Sequence, residues 1–393
     1  MSGIINKEQR FYYANLRILH FSNDSLPDWR VEKSAISASN FGHEVVFAGE
    51  KLLNYNRKTF SKIYEIRWSS RARRGIPFYW HSVKKQVERV IREVRPDIVH
   101  AHDLFPAKMI SEFGLPFVYD DHEYWSKCLK IAEMNENSSQ SLAGGLPRKV
   151  ARKLARNLLN QHAIRLWTNW EKSIVSSNPT ITVSDMIAEE LKVIGDTDKV
   201  FVVPNYPMKF EVQDSQKPRF HNKLSSAYAG SEGRKNVRYP HRVVDGLMDI
   251  FANRDIGDLT IIGWEGKASS PKIKYTGILS RPVMYDEMFK HSIGLAPWKK
   301  HWFHPYQCNN RAYEYVHAGL FVMCTSSLKT IQETLKDNCV TFEDYNDLAS
   351  QLEYFKENID EVYNKRLKTF EFAHNNLIWE NYEKNIFHAY QLC

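Results

Sequence analysis

IVHAHDLFPAKMISEFGLPFVYDDHE, residues 98–123, holds two short β-rich runs, Ile98–His102 and Pro116–Asp120, separated by a segment of helical period. Two strands joined through a helix form the unit of a parallel sheet covered by helices. The same alternation extends both ways. Before this stretch lie Leu16–Phe21 (LRILHF) and Glu44–Ala48 (EVVFA), and after it Thr180–Val183 (TITV) and Val200–Val203 (VFVV). A second series starts near Ser225 with SSAYAG and continues through LTIIG (259–263), IKYTG (273–277), IGLAPW (293–298) and LFVMCT (320–325). Between the two series, PNYPMKFEVQDSQKPRF (204–220) carries three prolines and no clear period, so it reads as a linker. The expected architecture is α/β, with doubly wound parallel-sheet domains over residues 1–205 and 206–375. Ligands of such sheets sit outside the carboxyl ends of the strands, which makes the gap between the domains the expected site.

The composition fits that architecture. The 393 residues are 43% hydrophobic and 13% aromatic, enough to fill two cores, which excludes disorder, coiled coil and collagen. No run approaches the 18 or so apolar residues a spanning helix needs, and the first twenty residues lack a signal peptide's apolar core, so a cytoplasmic location is expected. Five cysteines, far apart and without CxxC spacing, argue against a disulfide framework or a structural metal. The net charge of +8 is uneven: residues 1–205 hold 30 basic and 23 acidic side chains, the rest 24 and 23. Nine basic residues fall between Arg67 and Arg95 and seven between Arg148 and Lys172, interleaved with Trp and other apolar residues. Two readings stand: solvated helix faces balanced elsewhere, or a surface that docks on anionic lipid or another polyanion.

Polar groups cluster where strands end. The first strand runs into Asp24, Asp28 and Arg30; the strand Ile98–His102 ends in His100, His102 and Asp103; the next runs into Asp121, His122 and Glu123. In PYQCNNRAYEYVHAG (305–319), Asn309 or Asn310 can cap a helix that stops before Gly319. Arg311 and Glu314 then share a face near its N-terminus. A helix N-terminus seats phosphate, and a carboxylate one turn along can accept from two vicinal hydroxyls, which together describe a nucleotide; a surface ion pair is the plainer alternative.

The order LRILHFSND, DWRVEKSAISASNFGHEV, RPDIVHAHD, PFVYDDHE, NPTITVSDMIAEEL, VFVVPN, LTIIG, IKYTGIL, IGLAPW and NNRAYEYVHAGLFVMCT resembles the GT-B glycosyltransferases of the retaining family 4. The likeness runs from about Leu16 to WENYEKNIFHAY (379–390), which resembles the family's final segment crossing back to the first domain, here about 376–393. It implies two Rossmann-like domains: an N-terminal one for the acceptor and a C-terminal one for a nucleotide-sugar donor. It also implies retention of configuration and closure of the domains around the reactants. By resemblance, Glu314 binds the donor's ribose and His122 contacts the donor sugar. Asn310, Arg311, Tyr306, Gly230 and Gly263 lie on the donor side, and Asp28, Arg30, His102 and Asp103 on the acceptor side. In AGSEGRKN (229–236), Arg234 and Lys235 take the diphosphate, with Arg238 in reserve.

One departure concerns the donor sugar: many relatives carry E-x7-E, but Tyr306 stands eight residues before Glu314. The expected partners are a nucleotide-sugar donor and a glycan or lipid-linked acceptor, with no cofactor, no divalent metal and no nucleic acid, and with docking on a membrane's inner face through residues 67–95 and 148–172. Asp196-Thr197-Asp198 spells the metal-binding D-x-D of other glycosyltransferases, yet it precedes a strand and is expected only to cap a turn. Three rivals remain: a GT-B nucleotide-sugar 2-epimerase, a basic nucleic-acid-binding protein, and a His/Asp metal-dependent hydrolase built on residues 100–103 and 121–123. Against the last, no further His at ligand spacing joins the group in sequence.

Overall fold

A computed structural model describes residues 15–50, 55, 58–128, 146–212, 216–230, 242 and 244–393, apart from the side chains of 146–157 and 245. The described chain forms two compact units, one running to Pro204 and completed by Tyr382–Cys393, the other spanning Asn205–Asn381.

In the first unit the strands are β1 (Arg17–Ser25), β2 (Glu44–Glu50), β3 (Lys62–Glu65), β4 (Ile98–His102), β5 (Phe117–Asp121), β6 (Thr180–Thr182) and β7 (Val200–Val202). Helices α1 (Trp29–Asn40), α2 (Ser70–Arg73), α3 (Pro77–Val94), α4 (Leu104–Ser111), α5 (Leu146–Ser177) and α6 (Asp185–Gly195) connect them. The sheet is parallel in the order β3-β2-β1-β4-β5-β6-β7, so the chain reverses its direction of winding between β1 and β4. Strands covered on both faces need apolar residues at consecutive positions. In β4 and β5 every residue is buried, but His100, His102, Asp120 and Asp121 are among them.

The second unit holds α7 (Lys209–Val212), β8 (Ser225–Ala229), α8 (Asp245–Asn253), β9 (Asp258–Ile262), β10 (Ile273–Tyr275), α9 (Arg281–Phe289) and β11 (Ile293–Ala296). It continues through α10 (Asn310–His317), β12 (Phe321–Thr325), α11 (Lys329–Leu335), β13 (Cys339–Phe342), α12 (Tyr345–Glu357) and α13 (Ile359–Asn376). Its parallel sheet runs β10-β9-β8-β11-β12-β13, with the reversal between β8 and β11. The last helix, α14 (Glu383–Gln391), belongs to the first unit, where Asn385 Nδ2 donates to Val202 O at 2.8 Å and Glu383 Oε1 accepts from Ser37 Oγ at 2.6 Å.

The fold is α/β with two parallel sheets, and it departs from the sequence reading mainly at the edges. Two edge strands, β3 (KIYE) and β13 (CVTF), lack the long apolar run that marks the central ones, because only one side of an edge strand must be paired and covered. β1 extends past Phe21 through four polar residues, since Ser22 pairs with His102 and Ser25 with Glu50. The D-x-D sits at the end of α6, where Asp196 takes φ 49° and Thr197 N donates to Lys192 O, so it terminates a helix ahead of β7.

Candidate active site

The first unit gathers its polar strand ends into one buried network. Side chains two apart on a strand share a face, so His100 and His102 of β4 lie side by side, and parallel pairing sets His20 of β1 beside His100. The three rings stack with centroids 4.4 to 5.3 Å apart. Asp120 of β5 pairs with His102 in register and is clamped by Arg30 of α1, whose Nη2 is 2.6 Å from Oδ1 and whose Nε is 3.1 Å from both oxygens. Arg30 Nη1 also donates to Val203 O. Around Asp120 Oδ2 stand His100 Nε2 at 3.2 Å, His122 Nε2 at 3.3 Å and His102 Nδ1 at 3.4 Å. His102 contacts His122 at 3.2 Å and His20 at 3.0 Å, and His100 Nδ1 meets the Tyr390 hydroxyl of α14 at 2.7 Å.

Asp103 closes the network. It has φ 72° and ψ 170°, a conformation that only glycine adopts without strain, directly after β4. Its Oδ1 accepts from Trp125 Nε1 at 2.7 Å and His122 N at 3.3 Å, and lies 3.7 Å from His122 Nδ1. Burial alone would lower the His122 imidazole, but Asp103 and Asp120 outweigh it and raise the group to about 9. Burial lifts Asp103 to about 7. Burial would also raise Asp120, yet Arg30, His122, His100 and His102 hold it well below the usual carboxylate range. Burial pushes His20, His100 and His102 down, so these three are neutral at pH 7. Asp121 is raised by burial and by the charges of Asp103 and Asp120, with Tyr119 donating to it at 2.9 Å, and Glu171 is raised by burial and by Asp121.

His102 Nδ1, Asp120 Oδ2 and His122 Nε2 thus form a triangle with edges of 3.2, 3.3 and 3.4 Å, close to the spacing of tetrahedral metal ligands. The sequence places His100, His102 and His122 in this group, and the fold adds His20 from β1, beside His100 and His102. Charge argues against a cation in that triangle. Asp120 is already paired with a guanidinium, and a cation would have to displace the proton that Asp103 and Asp120 favour on His122.

Of the residues expected on the acceptor side, Arg30, His102 and Asp103 are buried in this network. Asp28 is the N-cap of α1, its Oδ1 accepting from Arg30 N at 2.9 Å and Val31 N at 3.1 Å. His122, with 13% of its side chain exposed, is the member of the network that reaches the surface.

In the second unit the ends of β8 and β9 meet the start of α10. Gly230 N donates to Ile262 O at 2.7 Å, and a Cβ on Gly263, which takes φ 111°, would stand 3.0 Å from the Gly230 carbonyl. A Cβ on Gly230 would stand 2.9 Å from the Tyr228 hydroxyl and 3.3 Å from Arg311 Cζ, so only glycines let these three segments approach. The Tyr315 hydroxyl accepts from Ala229 N at 2.6 Å and contacts Leu295 O, which fixes α10 against β8 and β11. Asn309 is the N-cap residue of α10 but its side chain makes no capping bond, and Asn310 is exposed in the first turn. Tyr306 is half-buried in a 3-10 turn, His304–Tyr306, just before.

Glu314 does not pair with Arg311. Its Oε1 accepts from Nη1 of Arg281, the first residue of α9, at 2.7 Å, while Oε2 accepts nothing from a described residue. Arg281 Nε also contacts Glu211 Oε1 of α7. Neither Arg281 nor Glu211 stood out in the sequence, because each lies in an unremarkable polar run and only the fold brings them to Glu314. Arg234, Lys235 and Arg238 lie outside the described residues.

Residues 37–206 match the sequence model of Glycosyltransferase Family 4. Sucrose-phosphate synthase from Thermosynechococcus elongatus superposes with a TM-score of 0.70 at 10% identity, over 95% of this chain and 98% of that one. Anabaena HepE in complex with UDP-glucose gives 0.65 at 12% identity, over 94% and 98%. WaaG, a glycosyltransferase involved in lipopolysaccharide biosynthesis, gives 0.59 at 13% identity, again over 94% and 98%. The chain is a glycosyltransferase that is similar to family 4 over residues 37–206. At these identities the structural neighbours establish the GT-B fold of the glycosyltransferase, while the family model bears on its first unit. No curated protein matches its sequence. Among its described residues no helix is long and apolar enough to cross a membrane.

Proposed function

We propose that this glycosyltransferase moves a sugar, with retention of configuration, from a nucleoside diphosphate sugar to a glycan or lipid-linked acceptor in polysaccharide or glycoconjugate synthesis. The observation that carries the donor half is the Glu314 carboxylate. Each carboxylate oxygen has two lone-pair sites, so Oε1, with one bond from Arg281, keeps one and Oε2 keeps both. That capacity suits the two vicinal hydroxyls of a ribose. Arg311 and the Gly230–Gly263 backbone, free of Cβ atoms, lie at the same end of the sheet, where a diphosphate needs close approach to backbone and a positive group. HepE, a structural neighbour, binds UDP and UDP-glucose.

Breaking the anomeric bond leaves negative charge on the departing diphosphate. A cation aimed there stabilises the transition state, and removing one such donor typically costs roughly 3–4 kcal/mol. Arg234 and Lys235 carry that role in this reading, with Arg238 in reserve, and His122 as an imidazolium donates to the donor sugar. The scheme draws on no divalent metal and no nucleic acid.

Glu314→Ala is expected to abolish transfer with little change in the melting temperature of the unliganded protein. Wild type should be stabilised by one of a panel of UDP-, GDP-, ADP- and CDP-sugars, by about 2.7 kcal/mol at a hundredfold excess over Kd. A Glu314→Ala enzyme that retains full activity at limiting donor would remove Glu314 from the account. A product formed without any acceptor, with the sugar's C2 inverted, would replace transfer by epimerisation.

A further inference from the structure

The Glu314 carboxylate is held by a residue that the donor need not touch. Arg281 stands at the start of α9 and spans two carboxylates, Nη1 on Glu314 Oε1 and Nε on Glu211 Oε1. Glu211 is itself fixed. Its side chain is 4% exposed, and its other oxygen accepts from Met208 N at 2.8 Å, inside the first turn around α7. That turn is tied in turn to the chain near residue 380: Lys209 N donates to both Glu380 oxygens at 3.0 Å, and Trp379 N donates to Pro207 O. One turn along α9, the Tyr285 ring lies 5.6 Å from the guanidinium.

We propose that Arg281 is a positioning residue that locks the Glu314 carboxylate onto the immobile Glu211, presenting Oε2 to the donor's ribose hydroxyls. The inference rests on the ribose-binding reading of Glu314 and adds what orients that group. Three features carry it. Arg281 binds Glu314 through one oxygen only, so the carboxylate is oriented without being consumed. The guanidinium fork reaches both acids at once, which a lysine ammonium on its flexible stem cannot do. Two carboxylates on one cation would repel each other if that cation were lost, and Glu314 would then swing away from Glu211.

The test is calorimetric binding of the nucleoside diphosphate, among UDP, GDP, ADP and CDP, that wild type binds most tightly. Glu314→Gln should weaken it by about thirtyfold or more, and Arg281→Met by about tenfold, the scale of one lost charge-assisted hydrogen bond. Arg281→Lys should recover part of the Arg281→Met loss. Glu211→Gln, which keeps the shape of its side chain and is remote from the ligand in this reading, should still weaken binding several-fold. Arg281→Met should bind the 2′-deoxy diphosphate almost as well as the ribo form, a selectivity that general destabilisation would not erase. The double variant Arg281→Met/Glu314→Gln should bind no more weakly than Glu314→Gln alone.

Additive losses in the double variant would make Arg281 a ligand contact and overturn the positioning role. So would unchanged binding by Arg281→Met and Glu211→Gln alongside a weakened Glu314→Gln, with the Glu314 reading left standing. Unchanged binding by Glu314→Gln, or no binding of any diphosphate to wild type, would bring down the ribose reading and this inference together.

Discussion

His122 shows how one residue's charge is set by its neighbours. Asp103 and Asp120 overcome burial and hold its imidazole at about 9, so it is a cation across the neutral range. Because that value lies above the unfolded one, the stabilisation it provides is complete below about pH 6.5 and is lost as pH rises through about 9. If the cation contacts the donor sugar, kcat/KM should fall along a basic limb near that same pH. Asp103→Asn preserves the acceptor for Trp125 but removes the first of the two opposing charges, so the limb should move down by about one unit. A limb that stays in place in Asp103→Asn would separate His122's charge from catalysis. At this scale the sequence showed His100, His102, Asp103 and His122 as a group because each ends a strand. His20 and Tyr390 escaped it, since one lies inside a strand that looks apolar and the other arrives from the opposite end of the chain.

The elements explain why α10 can be both short and well placed. Eight residues give it little intrinsic stability, so both ends rely on partners. At its C-terminal end Gly319, with φ 74°, turns the chain, and Arg366 of α13 donates through Nε to the Gly319 carbonyl at 2.7 Å. Arg366 is 1% exposed, also donates to Arg219 O at 2.8 Å, and pairs with no carboxylate among the described residues. Burial lowers its guanidinium to about 10, which still leaves it charged at pH 7 and opposite the negative end of the helix. Arg366→Met fills similar volume but strands the buried Gly319 carbonyl and takes a donor from Arg219 O, and should cost about 1–3 kcal/mol. This would be read as a lower urea midpoint with an unchanged m-value. A loss below about 0.5 kcal/mol would mean that water or a shifted side chain satisfies those carbonyls. The helix itself was legible in NNRAYEYVHAG from its start and its glycine stop. Arg366, some fifty positions later in an ordinary charged helix, carried no such mark, and neither did the edge strands β3 and β13.

Across the whole molecule, the remaining question is where the excess positive charge of the first half goes. Arg67, Arg71 and Arg74 are exposed around α2, and Phe78 at the start of α3 is 77% exposed beside the exposed Ile76. This corner is bolted down: Trp167 Nε1 of α5 donates to Arg73 O at 3.0 Å, and Trp80 packs on Trp170 with ring centroids 5.3 Å apart. Leu158 and Leu159, further toward the start of α5, are more than half exposed. If this corner docks on an anionic bilayer, Phe78 and Ile76 would enter the headgroup region beside the arginines. Each arginine near such a surface contributes about 1 kcal/mol, so Arg71→Gln combined with Arg74→Gln should weaken partition onto phosphatidylglycerol vesicles by roughly thirtyfold. Phe78→Ser should reduce it further, while the enzyme's donor affinity stays constant. Equal binding of wild type to neutral phosphatidylcholine vesicles, or unchanged partition of the variants, would return the basic corner to a solvated surface. In that case an acceptor would have to reach the enzyme from solution.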